Sequence, residues 1–105
     1  MESVRRKKIK GGNKMTGAWE IVENMQACNL PQDVATGFSE VGNSMIGATY
    51  VPVLYCATQI VNGKNHMIMC KQTVSSNPAK ESIVEMVLHQ ATDGTFSVLS
   101  IKNIL

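Results

Sequence analysis

Thr49-Tyr50-Val51-Pro52-Val53-Leu54-Tyr55-Cys56-Ala57-Thr58-Gln59-Ile60-Val61 is followed by Asn62-Gly63 and then, from His66 to Val74, by His-Met-Ile-Met-Cys-Lys-Gln-Thr-Val. The first run is rich in β-branched and aromatic residues and poor in helix formers, so it reads as a strand. Asn62-Gly63 reads as a hairpin turn, because both residues tolerate positive φ, and the second run as the returning strand. Ser75-Ser76-Asn77-Pro78 breaks that strand. Ser82 to Gln90 then alternates, with Val84, Met86 and Leu88 on one face and Glu85 and His89 on the other. Thr92-Asp93-Gly94-Thr95 makes a second turn, and Phe96 to Ile104 closes the sheet.

On the amino-terminal side the period changes. Val34, Phe38, Val41 and Met45 are spaced i, i+4, i+7, i+11, which is one face of a helix. Asn29 or Leu30 stands near its cap, Pro31 fits its first turn, and Asp33 complements the dipole. Gly37 and Gly42 each lower helix propensity by up to about 1 kcal/mol relative to Ala, so this helix depends on a packing partner. Gly47 is the expected stop. Ahead of the helix, Ala18 to Met25 reads as a short first strand with Trp19 and Ile21 on one face. Helix and sheet each bury an apolar face only against the other, so the expected fold is α+β: a single N-terminal helix packed across a four- to five-stranded antiparallel sheet. A chain of 105 residues is long enough for one such core and too short for two.

The net charge of +2 hides an uneven distribution. Arg5, Arg6, Lys7, Lys8, Lys10 and Lys14 crowd residues 1–14, whereas residues 15–105 carry four Lys against seven Asp or Glu, a net of −3. Residues 1–14 are expected to be a disordered basic tail, or a leader with Met15 as the natural start, and residues 15–105 the folded domain. An acidic body argues against nucleic acid as a partner. The basic start is not followed by an apolar run and a cleavage site, and no stretch is long enough to span a bilayer, so the expectation is a cytoplasmic protein without membrane association. Cys28, Cys56 and Cys70 form no metal-binding spacing and read as small buried hydrophobes, with a Cys56–Cys70 pair as the weaker alternative. No cofactor or metal is expected.

Gln59-Ile60-Val61-Asn62-Gly63 resembles the Gln-x-Val-x-Gly signature of the cystatin superfamily. Lys64-Asn65-His66-Met67-Ile68 resembles the Gly-x-Asn-Tyr-x-Ile continuation that begins at that glycine, and Tyr50-Val51-Pro52-Val53 is similar to the segment entering the second strand of the stefins. Met15-Thr16-Gly17 resembles the stefin opening, and the strand–helix–four-strand order is the cystatin order. The resemblance covers residues 15–105 and is closest in style to the intracellular stefins.

The resemblance implies a reversible, competitive, non-covalent inhibitor of papain-like cysteine proteases of the cathepsin type. An N-terminal trunk and two hairpin loops would form a wedge that occludes the cleft. On that reading the protease-binding residues are Gly17, Gln59, Ile60, Val61, Asn62 and Gly63, with Ala91, Thr92, Asp93 and Gly94 in the second hairpin. Gly17 would act as a joint for the trunk, Gln59 would hold the loop by a hydrogen bond, and Ile60 and Val61 would offer stiff contact surface with little rotamer entropy to lose. The second hairpin departs from the pattern, having neither the Pro-Trp of animal cystatins nor the Leu-Pro of stefins. The alternative is a non-inhibitory cystatin-fold protein that binds another partner or self-assembles, as a monomer or a domain-swapped dimer. An enzyme is not expected: His66 and His89 read as surface or packed histidines, Trp19 as a core or sheet-face residue, and the seven Met as core fillers.

Overall fold

A computed structural model describes residues 17–23 and 30–105. It consists of β1 (Trp19–Ile21), α1 (Gln32–Asn43), β2 (Ala48–Val61), β3 (Gly63–Val74), β4 (Lys80–Gln90) and β5 (Phe96–Asn103). The five strands form one sheet in sequence order, every neighbouring pair antiparallel. The helix lies on one face of the sheet, so the architecture is α+β as expected. Among the described residues, no helix is long and apolar enough to cross a membrane.

The core is built where the two periodicities meet. Val34 and Phe38 from α1 join Tyr55, Ile68, Cys70, Val84, Met86 and Leu88 from the sheet in one buried cluster. The alternation expected for β4 holds, since Val84, Met86 and Leu88 are buried on this face while Glu85 and His89 take the other. Val41 and Met45 pack against the cluster from its rim. Removal of each large apolar side chain from water stabilises the fold by about 1.5–3 kcal/mol, which is what holds a 12-residue helix with two internal glycines in place.

Several boundaries differ from the sequence reading. The first strand is confined to Trp19–Ile21, and Trp19 and Ile21 share the face turned away from the helix, 39% and 77% exposed. Residues 24–29, including Met25, Cys28 and Asn29, lie outside the described residues, as does the basic tail. The helix begins at Gln32 after Pro31 and ends at Asn43, not at Gly47. Ser44 stops it by donating both its N–H and its Oγ–H to the Val41 carbonyl, at 3.1 and 2.7 Å, so Met45 packs on the core from beyond the helix. Gly47 instead turns the chain into β2 with φ +87° and accepts a hydrogen bond from Ser75. β3 begins at Gly63, three residues before the expected start at His66, because Lys64 and Asn65 pair with both neighbouring strands. Cys56 and Cys70 are both free thiols, Cys70 fully buried and Cys56 half-buried. Cys56 sits where β2 slips register against β3, so it is not opposite Cys70, whose partner is Pro52.

Those register slips invert which residues face the helix. β2 shifts between Pro52 and Leu54 and again between Tyr55 and Ala57. Directly paired residues of an antiparallel ladder share a face. Tyr55 therefore lies with Ile68 on the helix face while Ala57, two residues on, lies with Met67 on the outer face. Such bulges bend a strand and re-aim its side chains.

Candidate functional site

Gly17, the first hairpin and the second hairpin meet at one end of the sheet. β2 hands over to β3 through Asn62 alone, with Val61 opposite Gly63 and Ile60 opposite Lys64. Lys64 is also paired with Gln90, the last residue of β4, so the second hairpin leaves the sheet at the same end. Gly17 donates its N–H to the Ile60 carbonyl at 2.6 Å, and Gln59 Nε2 donates to the Gly17 carbonyl at 2.8 Å. All ten residues singled out from the sequence thus share one edge. Ile60 is 41% exposed, Val61 and Ala91 are half-buried, and Asn62, Thr92, Asp93 and Gly94 are exposed.

Gly63 explains how closely the two hairpins approach. Its φ is +102°, and a Cβ at this position would collide with the Gln90 carbonyl oxygen and lie 3.2 Å from His89 Cε1. Glycine is required twice over, by conformation and by contact. The second hairpin is held by its own hydrogen bonds: Gly94 N–H to the Ala91 carbonyl at 2.9 Å, Ala91 N–H to the Thr95 carbonyl at 2.8 Å, and Thr95 N–H and Oγ–H to Asp93 Oδ1 at 3.0 and 2.8 Å. The two Thr95 donors hold the Asp93 carboxyl below its usual range. The tip is internally hydrogen-bonded and polar.

Two side-chain networks leave this edge from adjacent residues of β4, one on each face of the sheet. On the helix face, His66 is buried and accepts at Nδ1 from the Tyr55 hydroxyl at 2.8 Å, while its Nε2–H donates to Gln90 Oε1 at 2.9 Å. The roles follow from the far end: Gln90 Nε2 donates to the Asp33 carboxylate at 3.5 Å, so its oxygen faces His66, and the proton must be on Nε2. The ring also packs between Tyr55 and Phe96, with centroids 5.9 and 5.8 Å away. Burial lowers the His66 pKa against the partly opposing Gln90 hydrogen bond, and burial pushes the Tyr55 hydroxyl up to about 12. Both are therefore neutral near pH 7, as the hydrogen bonds require. Burial likewise raises the Cys70 thiol to about 12, leaving it a packing residue and not a nucleophile.

On the outer face, Asn65 Nδ2 donates to Gln59 Oε1 at 2.8 Å, and His89 Nδ1 lies 2.8 Å from Asn65 Oδ1. The sequence reading assigned Gln59 a loop-holding bond, and the structure supplies its partners as Gly17 and Asn65. It did not single out Asn65 or His89 as parts of the edge. The Asn62 turn, by setting Gln59 opposite Asn65, was a signal for the first of these; nothing local fixes the second, because β3 and β4 are joined by a five-residue link, residues 75–79.

Compared with protein-family models, curated proteins and solved structures, the chain has no match.

Among the described residues, no group of three or more His, Cys, Asp and Glu gathers to hold a metal ion. A groove of about 380 Å³ lies between α1 and β2, lined by Leu30, Phe38, Gly42, Tyr50 and Pro52. It is at the opposite end of β2 from the hairpins and brings no titratable pair together.

Proposed function

We propose that this is a cystatin-type domain that blocks papain-like cysteine proteases reversibly, competitively and without covalent chemistry, and that it is not an enzyme. The observation that carries this reading is the double hydrogen bond between Gly17 and the Gln59–Ile60 segment. It seats the chain's N-terminal side beside a one-residue hairpin tip, with the second hairpin alongside. A narrow, preorganised backbone edge of this kind loses little entropy on entering a cleft. The exposed Ile60 side chain and the half-buried Val61 supply apolar contact. Free Cys56 and Cys70 fit a cytoplasmic setting.

The test is a titration of papain and of a cathepsin-type protease with the full chain. Competitive inhibition that Val61→Asp weakens at least tenfold, with the melting temperature nearly unchanged, is the expected outcome. A single fully desolvated apolar contact replaced by a charge costs on the order of 1.4 kcal/mol or more, enough for that factor. No inhibition at tens of micromolar, an affinity weaker than about −6 kcal/mol, sinks the reading.

One observation favours a second reading. Thr92, Asp93, Gly94 and Thr95 are all exposed and none is apolar, so the second hairpin offers no anchor of the aromatic type that dominates protein interfaces. A non-inhibitory binding module with the same scaffold is the outcome left standing if the titration is negative.

A further inference from the structure

A single row of side chains runs across the outer face of the sheet from Gly17 to His89. Trp19, Gln59, Asn65 and His89 are successive register partners on β1, β2, β3 and β4. The last three are hydrogen-bonded in line and the row ends on the Gly17 carbonyl, each bond 2.8 Å long. That carbonyl fixes the direction of the whole row because it can only accept. Gln59 must turn its amide nitrogen to Gly17, which leaves its oxygen for Asn65. Asn65 must then donate from Nδ2 and accept at Oδ1, so His89 carries a proton on Nδ1. Every donor points the same way, an arrangement in which successive bonds polarise and strengthen one another. Asn65 is only 5% exposed, so both ends of its amide are spent within the row and water does not readily replace either partner.

We infer that Asn65 and His89 are positioning residues of the proposed binding edge. They hold Gln59 in the one orientation that clamps the Gly17 carbonyl, and so fix Gly17 against the first hairpin. A glutamine near a strand end, left to itself, samples several rotamers and loses that entropy on each capture of a partner. Here the loss is incurred during folding. The control therefore comes from β4, the strand that also launches the second hairpin, and Gly17 and both hairpins are set as one unit. The effect on inhibition rests on the reading given above; the positioning of Gly17 does not.

The test uses the full chain and three variants. His89→Asn keeps a side-chain N–H near the position of Nδ1, His89→Phe keeps a ring without the donor, and Asn65→Asp keeps the size but only accepts. Hydrogen exchange of the Gly17 amide is measured by NMR, with Ile68 and Leu88 as references for global opening. Loss of one such bond should speed Gly17 exchange about fivefold relative to the references in His89→Phe and Asn65→Asp, with His89→Asn close to the parent chain. Where the parent chain inhibits papain, the same two variants should weaken inhibition by a comparable factor. Unchanged Gly17 exchange in His89→Phe and Asn65→Asp, or His89→Asn behaving like His89→Phe, overturns the assignment. So does a loosened Gly17 with unaltered inhibition. Asn65→Asp decides the matter if the ring at 89 prevents folding. A parent chain that does not inhibit removes the inhibitor reading alone, and the exchange result still judges the row.

Discussion

Gly37 of α1 lies against the ring of Phe96 in β5, so closely that a Cβ on Gly37 would overlap the ring at Cγ and Cδ1. The contact fixes the height of the helix above the sheet beside the buried His66, whose ring Phe96 also touches. Gly42, one and a half turns later, faces open space. The same substitution should therefore have opposite signs at the two sites. Gly42→Ala should stabilise by about 0.5–1 kcal/mol through helix propensity and loss of unfolded-state freedom. Gly37→Ala gains the same term but overpacks the interface at a cost of about 1–3 kcal/mol, for a net loss of about 1 kcal/mol. Urea midpoints at constant m-value check both.

The hairpin glycines separate conformation from contact in a similar way. Gly63 and Gly94 both have positive φ, +102° and +93°, but only Gly63 has a neighbour that a Cβ would strike. Gly94→Ala should lower stability by about 1 kcal/mol, the cost of a non-glycine residue in this region. Gly63→Ala should cost about 2–3 kcal/mol, since the strain is joined by displacement of the Gln90 carbonyl and with it the second hairpin. Thermal melts of the two variants measure the difference, and equal losses would mean that the hairpins do not rest on each other.

His66 makes the fold sensitive to mild acid. Its pKa is lowered in the folded state, first by burial and further by Lys64 and His89, with Gln90 and Asp33 opposing. The unfolded chain therefore binds more protons than the folded one between the ordinary value of 6.5 and the lower folded value. Stability rises with pH in that window, so it is intact above about pH 6.5, declines as the pH falls below it, and levels off under the folded value. His66→Gln should remove this part of the slope while leaving carboxylate titration at lower pH. Chemical denaturation of both chains from pH 7.5 to 5 reads the difference directly; parallel curves would show that folding leaves the His66 pKa unshifted.

Element types, their order and the inward-facing residues of α1 and β4 were legible in the sequence, because they depend on periods of 3.6 and 2 over a few residues. So was the shared character of Gln59 to Gly63, where a turn signal sits within a strand pattern. The helix end was misjudged by four residues because Ser44, through its side chain, stops the helix before Gly47 does. The bulges at Val53 and Cys56 left no local mark; the first reverses the facing of Leu54 and Tyr55, and the second restores the original alternation from Ala57 onward.

From the sequence by itself came the building blocks and the tight bend at Asn62-Gly63, which are consequences of backbone preferences close along the chain. Only the tertiary structure decided that Asn65 meets His89, that Gly37 meets Phe96, and that Gly17 is clamped by Gln59. Each joins residues 24 to 59 positions apart, and the pairing of distant strands depends on the whole sheet's register, which no short stretch of residues contains.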